Sequence, residues 1–194
     1  MTSPPTRRYS DLVPVAKQGL YDPANEHDAC GVGFVAHLKG DASHSVVRKG
    51  IQVLVNLEHR GACGCDPETG DGAGVLIQIP DQLYREDLQR EGIDLPDQGF
   101  YAVGMIFLSR NPAVAARQEA IVEALVREEG QAVIGWRDVP HDPAAIGIQA
   151  REGLPQIREI FVKASGQCLR DGDAFERKLY VIRRRVEKLS LIHI

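Results

Sequence analysis

Long apolar runs are missing from this sequence, cysteine is scarce, and there is no excess of positive charge. No stretch approaches the roughly 18 apolar residues that a membrane-spanning helix needs. Four cysteines in 194 residues are too few for a disulfide-built scaffold, and a net charge of −4 offers nucleic acid no basic surface. With 43% apolar and 26% charged residues, the composition is that of a globular protein with neither a membrane nor a nucleic-acid partner.

The first 29 residues also lack the features of a secretory signal. Leu12–Ala16 supplies only five apolar residues in a row, and acidic and polar residues crowd the positions before Cys30. We therefore predict a leader over residues 1–29 and a domain over residues 30–194. We also predict a cytoplasmic location, in which the cysteines remain thiols.

Buried strands alternate with helices along the rest of the chain. Apolar runs bounded by turn residues predict the strands, and apolar residues at helical spacing predict the helices. The pattern does not separate a parallel, doubly wound sheet from antiparallel sheets stacked between helices. The predicted strands cover residues 30–38, 73–79, 100–108, 132–139 and 157–164, and the predicted helices cover residues 43–58, 82–90, 111–127 and 173–189.

Cys30 begins the first predicted strand, directly after the polar leader. By itself this position favours inert packing, because free cysteines are among the most buried residues. Cleavage of the bond between Ala29 and Cys30 would change its chemistry, because the residue would then carry a thiol and a free α-amino group of pKa about 8. That amine can act as the general base for the thiol, and the pair is suited to attack on the side-chain amide of glutamine.

Two segments resemble the class II glutamine amidotransferases, which are N-terminal-nucleophile hydrolases. They are Glu26–Phe34, around the cysteine, and Leu54–Ala62, with its His-Arg-Gly sequence. The resemblance implies an α+β fold, a four-layer αββα sandwich that is incomplete here, and glutamine as the substrate. It implies that Cys30 is the nucleophile, supported by Gly31 and by Arg60 beside it. The alternative for Arg60 is a solvated arginine that interacts with the helix dipole.

Three further segments resemble the glutamate-forming members of that family: Thr69–Pro80, Gly135–Pro140 and Phe175–Arg183. This resemblance implies an FMN-binding barrel and an iron–sulfur cluster in other parts of a longer subunit, with no cofactor in these 194 residues. The rest of that subunit, and a small reductase subunit or ferredoxin, are the implied partners. Two alternatives stay open: another class II amidotransferase, such as the one that starts purine synthesis, and a non-catalytic domain that retains the fold.

Two parts of the family's catalytic apparatus have no match in the chain. The oxyanion hole of the family uses an Asn-Gly pair, but glycine follows none of the asparagines here. The glutamine-binding arginine of the family precedes an aromatic residue, but neither Arg110 nor Arg137 does. We expect both elements beyond residue 194, and we expect this chain alone to be inactive. Residues 189–194 depart from the family pattern, and we interpret them as a foreign tail or an artefact of the sequence end.

Three other motifs favour structural roles. Cys63 and Cys65 lack the further ligands of a zinc site, so we predict no metal. The segment Gly70–Gly74 precedes a strand, whereas a dinucleotide-binding loop follows one, so we expect a tight connection in which Asp71 bonds its own loop. The run Arg183–Arg185 is typical of a solvated helix face.

Overall fold

A computed structural model describes residues 31–58, 69–70 and 72–190 of the chain. The chain divides into two compact units, one formed by residues 1–62 and 71–75 and the other by residues 63–70 and 76–194. Within the described ranges, no helix is both long enough and apolar enough to cross a membrane.

Helix α1 (His44–Asn56) is the main element of the first unit. Its half-buried residues recur at helical spacing and give the helix one apolar face, while the apolar residues Ile51 and Val55 lie outside that face and are exposed. Residues 31–36 and 72–75 belong to the same unit. The half-buried positions are Val46, Val47, Gly50, Val53, Leu54 and, just after the helix, Leu57.

The two strands predicted over residues 30–38 and 73–79 are wrong wherever the structure describes these residues. Residues 31–38 and 73–79 form no strand, and the side chains of Phe34 and Leu76 are almost completely exposed. A strand needs a neighbour that completes its backbone hydrogen bonds, and an apolar run does not specify that neighbour. The apolar pattern of the sequence locates these segments, but it does not show which other segments they pair with.

An antiparallel, three-stranded sheet organises the second unit. Strands β1 (Tyr101–Leu108) and β2 (Ala132–Asp138) flank the central strand β3 (Gln156–Lys163). Strand β3 runs antiparallel to both neighbours, with Gly104 opposite Ile160 in the pairing with β1. Since neighbouring strands are antiparallel, the structure agrees with the α+β class and not with a doubly wound parallel sheet.

The described residues of the second unit form helices α2 (Asp81–Arg90), α3 (Pro112–Glu128), α4 (Ile148–Gly153) and α5 (Gly172–Ser190). The predicted bounds of α1, α2, α3, α5 and the three paired strands agree with the structure to within two residues. The short helix α4 was not predicted.

Helices α3 and α5 cover one face of the sheet and form the main core with it. Helix α5 contributes Phe175, Ile182 and Val186, each at most 6% exposed, as its apolar spacing predicts. The other buried members are Ile106, Leu108, Ala115, Val122, Leu125, Val126, Ile160, Val162, Ala164 and Cys168.

Helix α2 covers part of the opposite face, around Phe161 of β3. The side chain of Phe161 is fully buried, and the ring of Tyr84 meets it edge-on with the ring centroids 5.1 Å apart. Leu88 and Tyr101 complete this second cluster, together with Leu95. The sheet is therefore covered by helices on both faces.

An acidic residue after the C-terminal end of α3 binds basic residues of α5. Glu129 accepts hydrogen bonds from Nζ of Lys178 and Nη1 of Arg185, each 2.8 Å long. The side chain of Arg185 is 36% exposed, so it lies on the predicted solvated face, and it also joins the two helices. The other two arginines of the run are exposed and pair within α5.

Candidate functional site

Among the predicted site residues, Gly31 is described, whereas Cys30 and Arg60 lie outside the described residues. Gly31 packs against the end of α1. A Cβ atom built at Gly31 would lie 2.8 Å from Cδ2 of Leu57, well inside the 3.5–4.0 Å at which carbon atoms normally meet. Glycine therefore allows the backbone after Cys30 to approach the helix closely.

Gly33 makes a similar close approach one helical turn earlier on α1. A Cβ atom at Gly33 would lie 2.5 Å from Cγ1 of Val53. The side chains of Val32 and Phe34, which alternate with the two glycines, are 91% and 93% exposed. The segment after Cys30 thus places its glycines against α1 and leaves its apolar side chains uncovered.

The glycine-rich segment leads to the same face of α1. Asp71 lies outside the described residues, so its predicted hydrogen bond stays a prediction. Gly72 has φ of +84°, a left-handed conformation that suits glycine. Further along, Cγ1 of Val75 lies 3.9 Å from the position of a Cβ at Gly50 of α1. Helix α1 therefore contacts both the segment after Cys30 and the segment after the glycine-rich loop.

A charged network that was not predicted from the sequence lies on the α2 side of the sheet. Arg137 of β2 donates from Nη1 to Oε2 of Glu159 at 2.9 Å and from Nε to Oδ2 of Asp87 at 3.1 Å. The hydroxyl of Tyr84 donates to Oε1 of Glu159 at 2.8 Å. The side chains of Glu159 and Arg137 are only 5% and 12% exposed, so water has little access to this network.

The network is internally satisfied, which favours a structural role. Burial, and the hydrogen bond to Glu159, raise the pKa of the Tyr84 hydroxyl, which therefore stays protonated and donates at neutral pH. Each oxygen of Glu159 accepts one hydrogen bond. The sequence did contain an indication of this network. Arg137 and Glu159 occupy predicted buried strands, and buried charges usually occur in pairs.

Cys168 is the free cysteine in the part of the chain that the structure describes, and it is buried. Nε2 of Gln131 lies 3.5 Å from its Sγ, in the main core. Among the described residues, no group of three His, Cys, Asp or Glu is placed to hold a metal ion. Cys63 and Cys65 lie outside these residues. The surroundings of Cys168 are those of an inert, packed thiol.

The chain matches one enzyme family along most of its length. The family "Glutamine amidotransferases class-II" matches residues 30–193. The glutamate synthase [NADPH] large chain of Bacillus subtilis is 48% identical over 170 residues, which cover 88% of this chain and 11% of that protein.

Two relatives whose names include ferredoxin also match most of this chain and a small part of their own length. Ferredoxin-dependent glutamate synthase 2 of Synechocystis sp. is 40% identical over 163 residues, which cover 84% of this chain and 10% of that protein. The chloroplastic ferredoxin-dependent glutamate synthase of Oryza sativa subsp. japonica is 37% identical over 187 residues, which cover 96% of this chain and 12% of that protein. The chain therefore spans about a tenth of the length of these relatives.

Proposed function

Because the chain belongs to the class II glutamine amidotransferases, we propose that it is the glutamine-hydrolysing part of a glutamate synthase large subunit. The 48% identity to a glutamate synthase large chain carries this proposal. Ammonia released from glutamine would serve the reductive amination of 2-oxoglutarate to glutamate. The relatives are named for NADPH and for ferredoxin, so the electron donor of this subunit stays open.

Cys30 carries the chemistry in this proposal, once residues 1–29 have been removed. Its free α-amino group takes the thiol proton, and the thiolate attacks the amide carbon of the glutamine side chain. The resulting ammonium group returns the proton to the amide nitrogen, the C–N bond breaks and ammonia leaves. Water, deprotonated by the same amine, then hydrolyses the glutamyl thioester to glutamate and restores the thiol.

Arg60 is proposed to act on the thiol of Cys30. Gly31, which is bonded to Cys30, packs against Leu57, three residues before Arg60. Three residues of chain span at most about 11 Å, so this contact limits the separation of the two positions without fixing it, and the proposal itself rests on the family motif. A cation close to the thiol would lower its pKa and increase the thiolate fraction at neutral pH.

The proposal extends to the fold, a four-layer αββα sandwich. In the first unit, α1 lies against the segments that contain Gly31, Gly33 and Val75. In the second unit, α3 and α5 lie against the antiparallel sheet. The antiparallel sheet with α3 and α5 on one face forms one helix–sheet layer pair of such a sandwich, and this layer pair supports the proposal.

FMN and an iron–sulfur cluster are implied for a glutamate synthase subunit, but the described residues do not fit the cluster. Iron–sulfur clusters are held by several cysteine thiolates, whereas Cys168 is enclosed in the core beside Gln131. We assign both cofactors to other parts of the subunit. Those parts, with a small reductase subunit or ferredoxin, are the proposed partners, and the cytoplasm is the proposed location.

Replacement of Cys30 tests the proposed function. In the full-length subunit, we expect Cys30→Ala to reduce glutamate release from glutamine to the background rate, because the attacking sulfur is lost. Cys168→Ala is the matched control and should retain the activity, because this thiol packs in the core. Unchanged activity in the Cys30→Ala subunit, or a mature chain that still carries residues 1–29, would overturn the proposal.

A further inference from the structure

The two close approaches to α1 are matched in spacing. From Gly31 to Gly33, two residues of chain span at most about 7 Å. From Leu57 back to Val53, four helical residues advance about 6 Å. Because the second distance lies within the first, Gly31 meets Leu57 and Gly33 meets Val53 at the same time. The segment runs antiparallel to α1 and is in register with its turns.

Val53 is the more rigid of the two contact residues. A β-branched side chain in a helix has essentially one χ1 rotamer, so Cγ1 of Val53 cannot swing away from an approaching atom. Leu57 has a longer and more adaptable side chain, and its nearest atoms lie 2.8–3.0 Å from a Cβ at Gly31. The contact between Gly33 and Val53 therefore sets how closely the segment approaches the helix.

From these contacts we propose that Val53, together with Leu57, is a positioning residue for Cys30. One peptide bond joins Cys30 to Gly31, so a displacement of the backbone at Gly31 and Gly33 is transmitted to the nucleophile. The inference rests on the proposed function, in which Cys30 attacks glutamine. A displacement of about 1 Å in a catalytic group can cost about a hundredfold in rate.

Gly33→Ala in the full-length subunit is the direct test. The added methyl group meets Cγ1 of Val53 and pushes the segment away from α1. We expect kcat for glutamine hydrolysis to fall about a hundredfold and KM to change by less than about threefold, with Cys30 still exposed as the N-terminus. Val53→Ala removes Cγ1, so the double variant Gly33→Ala/Val53→Ala should recover most of the lost kcat.

Two further variants complete the test. Gly153→Ala is the matched control, because a Cβ there meets no atom within 4 Å, and it should behave like the parent subunit. Val53→Ala alone keeps the inference testable if the Gly33→Ala subunit does not fold. It loosens the same contact, so kcat should fall about tenfold at unchanged KM.

Several results would overturn the positioning role. They are a parental kcat in Gly33→Ala, a parental kcat in Val53→Ala where Gly33→Ala does not fold, a double variant no better than Gly33→Ala, and a loss of activity that accompanies retention of residues 1–29. Cys30→Ala separates this inference from the proposed function. If that variant is inactive and Gly33→Ala is fully active, only the positioning role fails. If Cys30→Ala is active, the proposed function itself fails.

Discussion

Two arginines of the second unit share one carboxylate but differ in their surroundings. Arg137 and Arg90 both bind Asp87, yet the side chain of Arg137 is 12% exposed and that of Arg90 is 75% exposed. Arg137 also holds the buried Glu159. Removal of one partner from a buried ion pair leaves an uncompensated charge, whereas an exposed pair contributes little to stability.

We therefore expect unequal effects from the two truncations. Arg137→Ala should lower the free energy of unfolding of the 194-residue chain by about 3 kcal/mol. Arg90→Ala, the matched control, should lower it by less than about 0.5 kcal/mol. Urea titration followed by the fluorescence of Trp136, the single tryptophan of the chain, measures both effects. Equal losses would contradict the structural role of the buried network.

The residues of the candidate site show what a sequence pattern leaves undetermined. Cys30, Gly31 and Arg60 stand out through their resemblance to a family motif, and their roles stay predictions. The helical spacing of α1 predicts an apolar face, but it indicates neither that Val53 belongs to that face nor which segment the face contacts. That information comes from the close approach of Gly31 and Gly33, which depends on three-dimensional contact.

Between elements, Glu129 joins the end of α3 to α5. The hydrogen bond from Lys178, and then that from Arg185, lower the pKa of Glu129 from its ordinary value of 4.5. A carboxylate with a lowered folded-state pKa stabilises the fold above its unfolded-state pKa. That contribution is lost as the pH falls through the folded-state pKa, when the carboxylate takes up a proton.

The stability of the second unit should accordingly decline as the pH drops below about 4.5. Glu129→Gln should lower the free energy of unfolding at neutral pH by about 1 kcal/mol and make its decline in acid shallower. Urea titrations at a series of pH values, followed by Trp136 fluorescence, measure both changes. Glu176→Gln, at an exposed position of α5, is the control. If Glu129→Gln and this control have the same pH dependence, the contact between the helices does not contribute as described.

The elements that follow from the sequence are those whose side-chain period decides their structure. Helix α5 was predicted because an apolar stripe needs only one packed face, whichever neighbour supplies it. Strand β3 was predicted because a short apolar run is typical of a strand that is buried on both faces. Residues 31–38 and 73–79 have a similar apolar content but no ladder in the described chain. Hydrogen-bond pairing requires a second segment, and amino-acid composition does not show which segment that is.

Across the whole molecule, irregular apolar segments are the expected points of proteolytic entry. Phe34, Leu38 and Leu76 are 93%, 102% and 100% exposed and lie in no helix or strand. Among the described residues, limited digestion of the 194-residue chain with chymotrypsin should cut at these three before it cuts within helices or strands. Tyr180 is the internal control, since it is 64% exposed but lies within α5. Mass spectrometry of the earliest fragments gives the order of cleavage. Cleavage at Tyr180 before the other three sites would contradict the irregular structure of these segments.

The central place of β3 has a consequence for the synthesis of the chain. Strand β3 is the last of the three strands to be translated, yet in the described residues β1 and β2 pair only with it. Until residues 156–163 have left the ribosome, β1 and β2 are both without a hydrogen-bonded neighbour, and such open edges invite association with other chains. The growing polypeptide therefore passes through an interval in which a chaperone has two unprotected strands to shield, and that interval ends when β3 inserts between them.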